Sequence, residues 1–456
     1  MAGIDRTRVA ALLDRERAAY RAARPLSQAA AAVAAEHLVG GVPMTWMGKW
    51  AGGFPLFLDH ASGSRITDVD GLTYVDFALG DTGAMAGHSP PATVAAVRQR
   101  LEVLGGVATM LPTEDAAWVA AELTARFGVP RWSFALSATD ANRWALRLAR
   151  LVTGRPFVAC FAYSYHGTVD ETFVVRGDDG ATTARAGNVA PAVDPARTTR
   201  ALEWNDLASV EAALADEQVA VVIAEPALTN IGIVLPEPGF LDGLRDACDR
   251  TGTLLLIDET HTLSAGPGGC TLAWGLQPDI VTLGKSFAGG VPIGAYGLST
   301  AVAERLAARV DADGADLVDV GGVGGTLAGN PLSLAAARAT LAEVLTPAAF
   351  VGMIERATRF TAGVQAVLDR HDLPWSVVQL GARAEYRFAR PAPRTGTESA
   401  AAGDDEVEEL LHLALANRGI LLTPFHNMAL MAPTTTDADV DLHTQVFGAV
   451  VAELAR

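Results

Sequence analysis

Between residues 114 and 298, unbroken apolar runs and amphipathic stretches take turns, and this alternation limits the possible folds more than any other feature of the chain. The spacing predicts helices over 114–127, 140–152, 206–215 and 238–251, with strands over 131–136, 156–161, 219–224, 253–258, 279–283 and 294–298. Runs such as Val219-Ala220-Val221-Val222-Ile223-Ala224 and Leu254-Leu255-Leu256-Ile257 have no polar residue at alternate positions. Strands of that kind are buried on both faces, so the expected class is α/β, a mostly parallel sheet covered by helices on either side. In such sheets the working residues gather beyond the carboxyl ends of the strands.

At 456 residues the chain exceeds the size at which one hydrophobic core usually divides. Changes of character place an N-terminal segment with part of a small domain at 1–78, a large domain at 79–325 and a C-terminal small domain at 326–456. Helices are expected over 5–23 and 27–39, with Pro25 as a stop and Ser27 as a cap. Short strands follow at 55–59, 65–71 and 74–77, the latter two joined by an Asp70-Gly71 turn. Segment 176–200 is polar and reads as a long excursion, and 390–404 reads as exposed. Beyond 326, helices are expected over 329–345, 347–370, 405–418 and 437–455, with strands at 375–380, 384–389, 420–423 and 428–432.

The formal net charge of −17 argues against nucleic acid and anionic membranes as partners. Cys160, Cys248 and Cys270 are odd in number and widely spaced, which fits neither a disulfide framework nor a structural metal site. No apolar run is long enough to span a bilayer, and the N-terminus lacks the pattern of a secretory signal, so a cytoplasmic protein is expected.

Lys and Arg together number 35, yet Lys49 and Lys285 are the only lysines. Guanidinium stays protonated, so a retained ammonium invites a chemical explanation. Lys285, in Thr282-Leu283-Gly284-Lys285-Ser286, follows the apolar run at 279–283 and precedes Gly289-Gly290, while Asp258 ends the run before it. A strand-end Asp with a strand-end Lys about one βαβ step later suits pyridoxal phosphate, whose aldehyde takes a lysine as a Schiff base and whose ring nitrogen takes a carboxylate. Taken alone, each has a plainer reading, a solvated strand end or a surface lysine.

Further segments fall into one order: Ser137-Ala138-Thr139-Asp140, Tyr165-His166-Gly167, Glu225-Pro226 with Asn230, Asp258-Glu259-Thr260-His261, Lys285, and Gly325-Thr326 through Pro331. From about Phe54 to the C-terminus the chain thereby resembles the class III aminotransferases of PLP fold type I, nearest the glutamate-1-semialdehyde aminomutase-like branch. The resemblance implies a large domain with a seven-stranded sheet that binds pyridoxal 5'-phosphate, and a small α+β domain drawn from both termini. It implies that Ala138 and Thr139 bind the cofactor phosphate, where the family has Gly-Ser/Thr, and that Tyr165 stacks on the ring opposite Thr260. Asn230 would reach the phenolic oxygen. His261 would either reach that oxygen or fill the wall. Thr326 would meet the phosphate of a second subunit, giving a homodimer with shared active sites, unless it merely caps a helix.

Relatives that take amino acids use an arginine for the carboxylate, but neither Pro43–Trp50 nor Leu421–Met428 contains one. Trp46, Lys49, Asp81, Arg383 and Phe425 are the substrate candidates. Arg383 and Arg387 alternate along a strand and also fit a solvated sheet face. The expected function is a PLP-dependent transaminase, with Lys285 and Asp258 catalytic. It would act on an amine or amino acid with a keto acid or aldehyde. An aminomutase or a racemase/epimerase on the same scaffold is the alternative.

Overall fold

The computed structural model describes residues 4–313 and 322–455. Contacts divide the chain into two compact units: the larger holds Pro91–Pro347 and Pro393–Ala401, and the smaller holds the chain up to Pro90, Ala348–Ala392 and the residues from Ala402. These limits differ from the expected 78 and 325. Helix Pro331–Ala339 packs on Pro91–Arg98 and Glu114–Phe127, and Thr93 and Thr340 share a 2.7 Å hydrogen bond, so the larger unit extends to Pro347.

The larger unit is built on a seven-stranded sheet. Its order runs Arg131–Ala135, Gly294–Leu298, Ile280–Gly284, Leu254–Asp258, Val219–Ala224, Phe157–Phe161 and Thr199–Leu202, and only Gly294–Leu298 is antiparallel to its neighbours. The apolar runs divide by alternation between two cores. Val158, Val221, Ile223, Leu254 and Leu256 pack with Ala145 and Leu148 of helix Ala138–Thr153 on one face. Ala159, Phe161, Val222, Leu255 and Ile257 pack with Val210 and Leu244, from helices Leu207–Leu214 and Phe240–Thr251, on the other. Burial on both sides explains why these strands carry no polar alternation.

Three expectations need correction here. The segment read as an excursion holds two strands, Thr182–Ala184 and the sheet's edge strand Thr199–Leu202. The edge strand pairs on one side only, with Phe157–Phe161, so its Thr-Arg-Ala-Leu sequence needs no continuous apolar run. Segment 390–404, read as exposed, contains helix Gly396–Ala401 with Gly396 and Ser399 buried. A Cβ at Gly396 would lie 2.7 Å from the Ala162 carbonyl oxygen, so the close approach depends on glycine. Helix Thr300–Asp313, absent from the sequence reading, sends Val302 into the first core.

In the smaller unit, strands Leu58–Ser62, Arg65–Asp68 and Thr73–Asp76 are joined by Ile420–Leu421, and Ser376–Leu380, Arg383–Arg387 and Met428–Leu430 form a second sheet. Helix Arg6–Ala23 ends just before Pro25, and Pro25 also opens the next helix, Pro25–His37, in whose first turn a missing N–H does no harm; Ser27 lies inside that helix and does not cap it. The solvated-face reading of Arg383 and Arg387 fails, because both are buried together with Glu385. Among the described residues no single helix is long and apolar enough to cross a membrane.

Trp204 is fully buried, with its ring centroid 4.9 Å from Phe161 and 4.8 Å from Phe240. Trp204→Ala is expected to destabilise the larger unit by about 3–5 kcal/mol. Urea unfolding followed by circular dichroism checks this.

Candidate active site

Asp258 ends strand Leu254–Asp258 and pairs in register with Thr282 of the neighbouring parallel strand, which places Lys285 three residues further along that neighbour. Both groups therefore lie at carboxyl ends of adjacent strands, as the sequence pattern predicts. The carboxylate is buried, and burial raises its proton affinity. The hydrogen bond and charge of His166, with the bonds from Thr260 and Asn142, outweigh burial and hold it below the ordinary range. Oδ2 accepts from Asn142 Nδ2 at 2.8 Å and meets His166 Nδ1 at 2.9 Å, while Oδ1 accepts from the Thr260 N–H at 3.0 Å. Asn142 is itself fixed, its Oδ1 accepting from the Thr282 hydroxyl at 2.6 Å.

Glu259 has a different fate. Its carboxylate accepts from the Thr262 and Thr271 hydroxyls and from the Cys270 and Thr271 N–H groups, at 2.5 to 3.2 Å. Burial pushes its proton affinity up despite these donors. It ties down the loop after Asp258 rather than facing a ligand.

Ala138 and Thr139 open helix Ala138–Thr153, which Ser137 caps by accepting from the Asp140 N–H at 3.2 Å. The N–H groups of Ala138 and Thr139 come before the first intrahelical bond, so they point outward with the positive end of the helix dipole. The turn is crowded by chain segments that lack side chains. A Cβ at Gly167 would meet Thr139 Oγ1 at 2.1 Å, one at Gly284 would meet Ala138 Cβ at 2.9 Å, and one at Gly294 would meet the Ser137 oxygen at 2.2 Å. Gly167 also has φ +80°, a left-handed conformation, and the Thr168 N–H reaches Thr139 Oγ1 at 3.3 Å. A turn with free donors, a buried anion nearby on the sheet and an amine at Lys285 together match the phosphate, ring nitrogen and aldehyde of pyridoxal phosphate. Thr260 Oγ1 and His166 Nε2 are buried without a hydrogen-bond partner among the described residues, which leaves polar groups for a bound ligand.

The other predicted residues fall as follows. The Tyr165 N–H donates to Glu225 Oε1 at 3.1 Å, and its ring stands edge-on to Phe173. His261 hydrogen-bonds to Lys285 through Nε2 and meets Thr229 Oγ1 through Nδ1 at 2.7 Å. Asn230, with its amide turned so that Oδ1 accepts, holds Arg185 Nη2 at 2.9 Å. Thr326 is exposed on a turn and does not cap the next helix; Asn330 does. Lys285 has φ +56°, a strained backbone for a non-glycine residue, as occurs at sites where function fixes geometry.

Three residues escaped the sequence reading: Asn142, hidden as a polar position inside an amphipathic helix; Thr229; and Arg185. Arg185 donates to the Ser164 oxygen at 3.1 Å and lies over the Tyr163 ring, and burial lowers its proton affinity. His166 is the partner of Asp258.

The substrate candidates belong to the smaller unit. Trp46 and Phe425 have ring centroids 5.3 Å apart, and Lys49 Nζ lies 5.3 Å from the Phe425 centroid. Asp81 sits in a run of left-handed residues from Leu79 to Thr82. Asp76 supports that run by accepting from the Ala78 and Leu79 N–H groups at 2.9 and 3.0 Å. Arg383 donates to Thr82 Oγ1 from a buried position. Among the described residues no cluster of His, Cys, Asp and Glu could hold a metal ion.

A family profile described as Aminotransferase class-III matches residues 46–451. The chain is 34% identical to the glutamate-1-semialdehyde 2,1-aminomutase of Chloroflexus aggregans over 407 residues, 86% of this chain and 90% of that protein. It superposes on the crystal structure of a glutamate-1-semialdehyde aminomutase from Pseudomonas aeruginosa with TM-score 0.96 and 47% identity, covering 99% of this chain and 100% of that one. A lysine-to-alanine variant of that enzyme, in complex with PMP, gives a TM-score of 0.94. An omega-transaminase from Sphaerobacter thermophilus gives 0.83 at 27% identity, covering 94% of this chain and 98% of that one. The fold is thus PLP fold type I, and the cofactor is pyridoxal phosphate.

A carboxyl held below its ordinary range adds stability that is full above the unfolded-state value and disappears as pH falls through the folded one. His166→Phe removes the main force that lowers Asp258, and it also raises Glu225, which feels the same imidazole. The variant is expected to lose about 3 kcal/mol at neutral pH. The gap to the wild type should close in acid, where both carboxyls are protonated. Urea unfolding at a series of pH values tests this, and a gap independent of pH would contradict it.

Proposed function

Because the chain belongs to the class III aminotransferase family, we propose that it is a pyridoxal-phosphate-dependent aminomutase. It would move an amino group between neighbouring carbons of one small amino aldehyde of the glutamate-1-semialdehyde type. The observation that carries this reading is the pairing of Lys285 with a buried, ionised Asp258 at adjacent strand ends, in a chain 47% identical to a structure bearing that name. The expectation of a transaminase gives way to the alternative stated with it.

Pyridoxal phosphate, when bound, supplies an electron-withdrawing ring that acidifies a C–H bond next to nitrogen. Asp258 would keep a proton on the ring nitrogen, and its three donors keep the carboxylate in place to do so. The N–H groups of Ala138 and Thr139 would bind the phosphate. Tyr165 and Thr260 would bracket the ring. Lys285 would hold the aldehyde carbon at rest and, as a free amine, take a proton from the nitrogen-bearing carbon of the substrate and later return it. Thr326, exposed on its turn, would complete the phosphate site of a second copy, which makes the working form a homodimer. The three cysteines are buried free thiols, in keeping with a cytoplasmic enzyme.

A transaminase is the second reading. The apolar pairing of Trp46 with Phe425 and the lack of arginine in Leu421–Met428 favour it, since they suit an amine or an apolar amino acid. Turnover of glutamate 1-semialdehyde with neither amino donor nor keto acid added is expected. Dependence on a keto acid consumed in step with a donor would instead establish transamination. Lys285→Ala should lower turnover by about 10³-fold or more, while still binding the amine form of the cofactor. Retained turnover in that variant would exclude Lys285 as the base.

A further inference from the structure

Beside Lys285 runs a chain of buried polar side chains that none of the steps above requires. His261, Thr229 and Glu225 are 6%, 1% and 2% exposed. Lys285 Nζ and His261 Nε2 are hydrogen-bonded, His261 Nδ1 lies 2.7 Å from Thr229 Oγ1, and the Thr229 hydroxyl donates to Glu225 Oε2. The far oxygen of Glu225 is occupied by the Tyr165 N–H at 3.1 Å.

The charge on Glu225 sets the direction of this chain. With Glu225 ionised, its oxygens can only accept, as they do from the Thr229 hydroxyl and the Tyr165 N–H, so Thr229 spends its single hydroxyl proton on Glu225. Thr229 Oγ1 then offers lone pairs alone to the imidazole, and His261 Nδ1 must carry a hydrogen to donate to it. A neutral imidazole with its proton on Nδ1 presents a bare Nε2 to the lysine, and the bond between them is an N–H of Lys285 donating to His261. We propose that His261, oriented by Thr229 and Glu225, is a positioning residue that accepts an N–H from the Lys285 ε-amine. It thereby aims the amine's remaining lone pair at the reacting carbons. The lysine stem has several free torsions, and its amine must be presented afresh in every turnover after release from the cofactor. A fixed acceptor at Nε2 supplies that aim.

The direction depends on the proton inventory around Glu225. His166, Asp258 and Arg185 are the other charged or titratable groups whose fields reach it. Burial favours a proton on Glu225, and the bonds from Thr229 and Tyr165 oppose it. If Glu225 took up a proton it could donate to Thr229. Each bond would then reverse, and His261 Nε2–H would donate into the lysine lone pair, occupying the electrons needed for chemistry.

This inference rests on Lys285 being the amine that holds the cofactor, and the test separates the two. Histidine-selective ¹⁵N NMR, with His261 assigned by its loss in His261→Gln, reads the tautomer in the protein with and without pyridoxal phosphate. A neutral ring protonated on Nδ1 near neutral pH is expected, and Thr229→Val should abolish that preference. A ring protonated on Nε2, or an imidazolium, would overturn the inference whatever the enzyme catalyses. In the loaded enzyme, His261→Phe should lower kcat by about 10²-fold with little change in KM. It should also shift the pH at which the bound cofactor's visible band titrates. His261→Gln, whose amide can accept from Lys285 and donate to Thr229, should recover most of the loss. If His261→Phe does not fold, Thr229→Val against Thr229→Ser decides: impaired in the first, near wild type in the second. Equal kcat and equal titration in that pair would overturn the proposal. Failure of wild-type protein to show any Lys285-dependent cofactor band would instead sink the functional reading alone.

Discussion

Taking the Asp258 carboxylate out of water is costly, and each donor that offsets the cost comes from a different element of the larger unit. Asn142 arrives from the helix that opens at the phosphate turn, His166 from the loop after strand Phe157–Phe161, and the Thr260 N–H from the chain just beyond the carboxylate itself. An anion in the interior without such partners would take up a proton, and the site would lose the charge that pyridoxal phosphate requires. The order of strands in the sheet is what makes the three donors converge. The same arrangement that forms the core therefore sets the electrostatics of the site.

Adjacent residues show how far environment, rather than residue type, decides behaviour. Asp258 and Glu259 follow one another in sequence and are both buried, yet the first is held ionised and the second is pushed toward protonation. The difference lies in the imidazole beside Asp258, since Glu259 is surrounded by hydroxyls and backbone N–H groups that bring no full charge. Burial pushes Glu225 up as well, although the charge of His166 and the bonds from Thr229 and Tyr165 work against it.

Lys285 and Asp258 were legible because strand ends are legible: an apolar run stops and a titratable residue follows. The sheet's buried strands were equally plain, their sequences being apolar at every position. What the sequence concealed is informative in physical terms. Asn142 occupies an inward-facing helical position that ordinary packing would give to an apolar residue, and nothing in a 3.6-residue period reveals that it serves a carboxylate. Arg383, Glu385 and Arg387 alternate like an exposed face because charges buried along one strand can have the same spacing as solvated ones. Thr199–Leu202 went unseen because an edge strand needs apolar residues less than a central strand does. His261 stands out in the sequence beside Asp258, yet its partner Thr229 is an ordinary residue until the fold brings the two within hydrogen-bonding distance.

Gly167 and Thr139 meet so closely that no other side chain fits between them. Gly167 directly follows His166, which steadies the carboxylate proposed for the ring nitrogen, and Thr139 belongs to the turn proposed for the phosphate. The two ends of the cofactor seat are thus joined through a single steric weld. Drift in sequence can reshape the pocket for new substrates more freely than it can lengthen or tilt this seat, because any change at one anchor is handed directly to the other. A lineage diversifying from this scaffold would keep the gauge of its coenzyme while its specificity wandered.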